Sequence, residues 1–231
     1  MENLLHEYIE KTFRDMEHAQ PALTGPVVTL SREYGCPSKL IAQALTDHLN
    51  HRSDAAKTGR WRFINKEIVE SAARELELKP VEMNYLLSSG GKGVLEDIMA
   101  SFSPLYVSDH RIRKTITKVV NDIAHKGNIV IVGRGGVGVL HGRPATLHVR
   151  LTAPIEWRIP QICLLRNVSE HEAVKLAQET DKKRTALIEL LSGRKFSSYL
   201  FDLTFNCQTM TMDEIVDTIA GAMRAKKMLT V

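Results

Sequence analysis

The sequence predicts a three-layer α/β fold, a parallel sheet flanked by helices, with a helical insert and a lid-like helical segment. Three observations predict it. Short, nearly continuous apolar runs (VVTLS, NIVIVG and ATLHVRL) alternate with longer amphipathic stretches, the pattern of strands joined by helical crossovers. The first run leaves through a glycine turn straight into a helical pattern, SKLIAQALTDHLN. A chain of 231 residues is long enough for one well-buried core with a small insert.

Each element follows from local pattern. Residues 1–25 form an N-terminal helical extension, with Leu4, Leu5, Tyr8, Ile9 and Phe13 on one stripe and Pro21, Gly25 and Pro26 ending it. The α/β domain then occupies 26–231. VVTLS is its first strand, and Leu40, Ile41, Ala44, Leu45 and Leu49 give the next helix a broad apolar face. A brief WRFI strand precedes the helical KEIVESAARELEL. Residues 78–110 mix apolar and loop signals and read as an insert over a cleft. Ile112, Ile116, Val119, Val120 and Ile123 mark a helix stopped by Gly127. NIVIVG is a second buried strand, RGGVGVLHGRP a glycine-rich turn out of it, and ATLHVRL a third strand. Two helical patterns follow: IEWRIPQICLLRN, interrupted by Pro160, and SEHEAVKLAQETDKKRTALIELLSG. FDLTF is a short strand, and MDEIVDTIAGAMRAKK closes the chain as a helix with Asp213 as its N-cap.

Composition narrows the function. Apolar residues make up 43% and charged residues 25%, a globular balance, and the formal charge of +4 suits an anionic small-molecule partner. Nucleic acid is not the expected partner, because Arg111, Arg113 and Lys114 sit inside a helical pattern and no finger or aromatic RNA-binding signature is present. Cys36, Cys163 and Cys207 are odd in number and far apart, forming neither a disulfide framework nor a metal set. Free thiols, no signal-like leader and no bilayer-length apolar run make the expected location cytoplasmic, with no membrane partner. The nine histidines lack metal-ligand spacing, and Ser31 lacks a nucleophile elbow.

The stretch SREYGCPSKL is the candidate phosphate loop. A loop of this kind offers backbone N–H groups at a helix N-terminus, a lysine for the outer phosphates and a hydroxyl for magnesium. Gly35 supplies flexibility, Ser38 and Lys39 open the helix, and Arg32 adds charge; Cys36 lies between them. The spacing GxxxxGK[ST] is absent, which leaves an ordinary strand-to-helix turn as the other reading. SSGGKG, residues 88–93, resembles a phosphate loop in composition, but no buried strand precedes it. Phosphoryl transfer spreads negative charge over several oxygens, so the arginines beyond the central strands (Arg134, Arg158, Arg166 and Arg184) are candidates to stabilise it. Asp181 and Arg184 are three apart on a helix, where a local ion pair is the alternative.

Taken together, VVTLSREYG, NIVIVGRGG, LHVRLTAPIEWRI, ETDKKR and FDLTFNCQTMTMDEIVDTI resemble, in order, the blocks of the cytidylate kinase-like family, relatives of nucleoside monophosphate kinases with a P-loop NTPase-like fold. The resemblance runs from about residue 26 to residue 221. It implies transfer of the γ-phosphoryl of ATP, with Mg2+, to a nucleoside monophosphate or other small phosphorylated acceptor. It places Gly35, Cys36, Ser38 and Lys39 at the ATP phosphates, Arg134 at the acceptor phosphate, Arg158 near the start of a lid spanning 158–184, and Asp181 and Arg184 facing the transferring group. This chain departs from that pattern where the family loop has SGG and the chain has Cys36-Pro37-Ser38, since proline removes a backbone donor. Lys39 falls one position after the expected lysine, Leu40 replaces the hydroxyl, Asn65 replaces an Asp, and Gly135 follows Arg134 where an acid is usual. Two functions therefore stay open: an ATP-dependent nucleoside monophosphate kinase, or a catalytically inactive nucleotide-binding pseudokinase or scaffold. The helix in 1–25 is a candidate surface for a homo-oligomer.

Overall fold

The computed structural model describes residues 25–52, 59–65, 74 and 109–229. The N-terminal helix, the KEIVESAARELEL helix apart from Arg74, and nearly all of the 78–110 insert lie outside those residues.

Chain order is β1 (Val27–Arg32), α1 (Ser38–Arg52), β2 (Arg62–Ile64), α2 (Asp109–His125), β3 (Ile129–Val132), α3 (Gly136–Leu140), β4 (Thr146–Thr152), α4 (Ile155–Arg166), α5 (Glu170–Ser192), a single 3-10 turn (Ser198–Leu200), β5 (Leu203–Asn206) and α6 (Met212–Ala225). The strands form one sheet in the order β2-β3-β1-β4-β5, and each of these pairings is parallel. Val27 lies beside Ile129 on one side and Thr146 on the other, and Arg32 beside Leu151.

Strand alternation divides the core into two layers. Val28, Leu30, Val130, Val132, Leu147, Val149 and Leu151 face Ile41, Leu45 and Leu49 of α1 and Ile215, Val216, Ile219 and Met223 of α6. On the opposite face, Val27, Ile129 and Ile131 pack against Ile116, Val119 and Val120 of α2 and Leu187 and Leu191 of α5. Both faces are covered, which is why these strands read as continuous apolar runs rather than alternating ones. Each large side chain fully withdrawn from water contributes roughly 1.5–3 kcal/mol before entropy is counted.

Local capping fixes the helices that frame the site. Ser169 accepts from the Glu172 N–H while the Glu172 carboxylate accepts from the Ser169 N–H, and Gly193 closes α5 in a left-handed conformation. At α6 the N-cap is Thr211, paired with Glu214, rather than Asp213, which lies in the first turn. Pro160 does not interrupt α4; it sits mid-helix, sixth of twelve residues, and forfeits the bond to the Glu156 carbonyl. The glycine-rich exit from β3, expected as a turn, contains the short helix α3. Gly138 lets α3 approach α5 closely, since a Cβ there would lie 3.0 Å from the Ile188 carbonyl oxygen.

Because the strands run parallel, their C-terminal ends open at one edge, where α/β sheets of this type bind ligands. Arg32 ends β1, Arg134 follows β3, Arg158 follows β4 and Cys207 follows β5.

Candidate functional site

The site is built around the SREYG segment, in which nearly every residue has a separate task. Arg32 ends β1 with its guanidinium laid across Gly133, so closely that a side chain on Gly133 would collide with it. Gly133, Arg134 and Gly135 all have positive φ, at 70°, 55° and 69°. Glycine takes that conformation without penalty, and Arg134 takes it between two glycines, which turns the chain back at the end of β3. Arg184, on α5, donates from Nη1 to the Arg32 carbonyl at 3.1 Å. Its guanidinium also lies 5.4 Å from the centre of the Tyr34 ring.

Three guanidiniums thus meet at the C-terminal edge of β1 and β3. Burial, and then repulsion from Arg184 and Arg134, pushes Arg32 down to about 9. Burial and the nearby Arg184 charge also lower Arg134. Arg184 is lowered by burial, against an opposing pull from Asp181. The Arg134 Nε is buried without a hydrogen-bond partner. An arrangement of mutually repelling cations with an unused donor is costly in the ligand-free protein, and an anion relieves it.

Beside this cluster lies a bracket that closes the glycine loop. The Asp181 carboxylate accepts from the Tyr34 N–H at 2.7 Å and from Arg158 Nη1 at 2.6 Å, and Arg184 Nη1 stands 3.7 Å away. Arg158 is buried; it also donates to the Ala153 carbonyl at 2.9 Å and the Tyr34 carbonyl at 3.0 Å. Glu33 ties the loop to β4, meeting Arg150 at 3.2 Å and accepting the Ala153 N–H at 3.2 Å. Arg166 donates to the Tyr34 hydroxyl at 2.6 Å.

The loop itself is turned inward. The N–H groups of Glu33, Tyr34, Cys36 and Ser38 go to Leu151, Asp181, Glu33 and Cys36 respectively, and Pro37 has none. Gly35, at φ 96°, backs onto α4; a Cβ there would lie 3.0 Å from the Cβ of Arg158. Cys36 and Ser38 are buried, while Lys39 is exposed in the first turn of α1. The structure therefore brings Arg32, Arg134 and Arg184 together, places Asp181 and Arg158 in the adjoining bracket, and leaves Lys39 outside the cluster.

An open recess of about 330 Å³, solvent included, adjoins the cluster. Arg32, Arg184, Asp181, Glu33, Arg150 and Phe196 are among its walls. Arg150 lies 4.8 Å from the Phe196 ring centre and 5.6 Å from that of Phe201. Sequence reasoning did not single out Glu33, Tyr34 or Arg150. Glu33 and Tyr34 were visible inside the quoted loop, and Arg150 as the one arginine in the third strand.

An all-parallel sheet, a strand-loop-helix unit and converging arginines define an α/β protein with a cationic cluster at the C-terminal edge of its sheet. A profile of the cytidylate kinase-like family matches residues 27–209, and the chain belongs to that family. A cytidylate kinase from Ignicoccus hospitalis is 27% identical over 156 residues, covering 66% of this chain and 88% of the relative. A uronate isomerase from Corynebacterium glutamicum is 26% identical over 160 residues, 67% of this chain but only 28% of that protein's length. Among solved structures, an uncharacterised protein from Eubacterium ventriosum superposes with a TM-score of 0.62 at 16% identity, covering 87% of this chain and 98% of its own. Shikimate kinase from Bacteroides thetaiotaomicron does so with a TM-score of 0.50 at 11% identity, covering 86% and 98%. At those identities the structural likeness establishes the three-layer α/β fold. Among the described residues, no helix is long and apolar enough to cross a membrane.

Proposed function

We propose that this protein binds the phosphate of a small phosphorylated compound, a nucleotide in the first instance, at the Arg32–Arg134–Arg184 cluster. The observation that carries this reading is the partly buried cluster itself, with one nearby carboxylate, Asp181, and an unpartnered Nε on Arg134. Guanidiniums present planar forks that match phosphate oxygens, and a dianionic group satisfies more of them than a carboxylate does. A nucleoside monophosphate meets that requirement, and membership of the cytidylate kinase-like family supports it.

The same family relation makes ATP and Mg2+ the expected cofactors, and ATP would supply a transferable γ-phosphoryl group. The Gly35 loop does not fit a phosphate chain in this arrangement. Four of its N–H groups are engaged within the protein, Pro37 has none, and Arg158 backs Gly35. Leu40, where a magnesium-binding hydroxyl would stand, is exposed and apolar. No transfer step is therefore derived through ATP or magnesium. The spent loop favours a second reading over a working kinase, namely a nucleotide-binding protein of the kinase frame that does not turn over.

A screen of nucleoside monophosphates with labelled ATP and Mg2+, with thermal shifts recorded alongside, tests both. Stabilisation by nucleotide without label transfer is expected. Transfer that disappears in Lys39→Ala establishes the kinase instead, and no shift with any nucleotide removes the phosphate reading.

A further inference from the structure

The N–H groups of the glycine loop are not all closed in the same way. Those of Glu33, Cys36 and Ser38 go to the backbone carbonyls of Leu151, Glu33 and Cys36, and opening them means undoing backbone pairing. The Tyr34 N–H goes instead to a side chain of another element, Asp181 on α5, 147 positions away. Asp181 Oδ1 stands 2.7 Å from the Tyr34 nitrogen and 3.7 Å from Arg184 Nη1, while Oδ2 accepts from Arg158 Nη1 at 2.6 Å. Two anionic oxygens set among a backbone N–H and two guanidiniums form the coordination that a phosphoryl group takes in such a corner. This corner adjoins the phosphate seat, because the same Arg184 Nη1 donates to the Arg32 carbonyl at 3.1 Å. Asp181 is also a wall of the open recess, with 24% of its side chain exposed, so a rotated carboxylate has water to enter.

We propose that Asp181 is a built-in substitute for a second phosphoryl group, and that a ligand with two linked phosphoryl groups, a nucleoside diphosphate or pyrophosphate, displaces it from Tyr34. This rests on the phosphate reading of the arginine cluster, where one phosphoryl group sits among Arg32, Arg134 and Arg184. The next group reaches past Arg184 to the Tyr34 N–H. Charge decides the exchange. A carboxylate brings one negative charge to the corner, a terminal phosphoryl group about two, with three oxygens to share between donors. Asp181 then gives up Tyr34 and keeps Arg158, a change that side-chain rotation allows. A monophosphate fills the seat and leaves the corner shut. Asp181 thereby sets how strongly the site distinguishes one phosphoryl group from two.

The test is calorimetric titration of the native chain, Asp181→Asn and Asp181→Ala with orthophosphate and with pyrophosphate. Asparagine keeps the shape and removes the charge; alanine empties the corner. Pyrophosphate should bind Asp181→Ala roughly 10- to 100-fold more tightly than the native chain, the range of one charge-assisted hydrogen bond, with Asp181→Asn between them. Orthophosphate should gain by a smaller factor. Hydrogen exchange of the Tyr34 amide is read alongside: it should be faster in ligand-free Asp181→Ala than in the native chain, and pyrophosphate should restore protection. Binding seen only in the variants also supports the displacement. Pyrophosphate held by the native chain and no more tightly by either variant overturns it and leaves the phosphate reading standing. Equal tightening of both anions does the same, since that is loss of charge alone, as does a Tyr34 amide left unprotected with pyrophosphate bound. No binding by any of the three chains removes both readings. Asp181→Asn carries the comparison if Asp181→Ala does not fold.

Discussion

Arg158 offers a decisive perturbation, because the family resemblance and the structure give it different work. The resemblance puts it near the start of the lid, among the arginines that are candidates to stabilise the transfer; the structure has it holding the Tyr34 and Ala153 carbonyls and the Asp181 carboxylate. Replacing it with alanine leaves Asp181 three-quarters buried, with 24% of its side chain exposed, without its closest cation. Removing one member of a buried ion pair costs about 3–5 kcal/mol, and the partial exposure of Asp181 argues for the lower end, about 3 kcal/mol. For a domain of this size that corresponds to a fall in Tm of roughly 6–12 °C. Urea titration should show the lower midpoint with an unchanged slope. The double variant Arg158→Ala/Asp181→Ala should cost less than the two single losses added together, by about 1 kcal/mol or more, since the abandoned carboxylate is gone. A single-variant loss below about 1 kcal/mol, or strict additivity, would refute the bracket. Lost nucleotide binding at full stability would return Arg158 to the ligand.

Three further outcomes follow from the same geometry. Arg134→Met removes a partly buried cation with an unused donor, so the ligand-free protein should gain about 1 kcal/mol in urea titrations while its nucleotide-induced thermal shift shrinks; a loss on both counts contradicts this. Gly133→Ala puts a Cβ into the space of the Arg32 guanidinium at a positive φ, so it should lose about 1–2 kcal/mol of stability and weaken pyrophosphate binding about tenfold or more, and unchanged binding counts against Arg32. His148 is buried against Thr29, with Nδ1 at 2.7 Å from the hydroxyl, and burial lowers it from 6.5 to about 4. Its folded-state pKa is depressed, so its contribution is intact above pH 6.5. On the order of 3 kcal/mol is then lost as pH falls from 6.5 through 4, and His148→Gln should flatten that limb of a pH–stability curve.

Much of the fold was legible because buried parallel strands leave a strong mark. VVTLS, NIVIV and ATLHVRL have apolar residues on both faces, and each coincides with a strand. Ser169 and Glu172 announce the start of α5, and Gly193 its end, through caps that act within a few residues. α3 was hidden because Gly136 and Gly138 have little helix propensity; close packing on α5 decides their conformation. At the site, spacing pointed to a local Asp181–Arg184 pair, and the two do stand 3.7 Å apart. The shorter bonds of Asp181 reach Tyr34, 147 positions away, and Arg158, 23 away, and no local pattern reports them. Pro37, by contrast, flagged a loop short of donors from the sequence alone, and the inward-turned N–H groups around it are consistent with that.

The phosphate seat is tested most directly by calorimetric titration of the native chain and of Arg184→Ala with pyrophosphate and with cytidine monophosphate, repeated at two salt concentrations. One charge-assisted contact contributes about 1.5–3 kcal/mol, so Arg184→Ala should bind roughly 10- to 100-fold more weakly, with a smaller salt dependence. Affinities within twofold of each other, or no saturable binding by the native chain, would contradict the account.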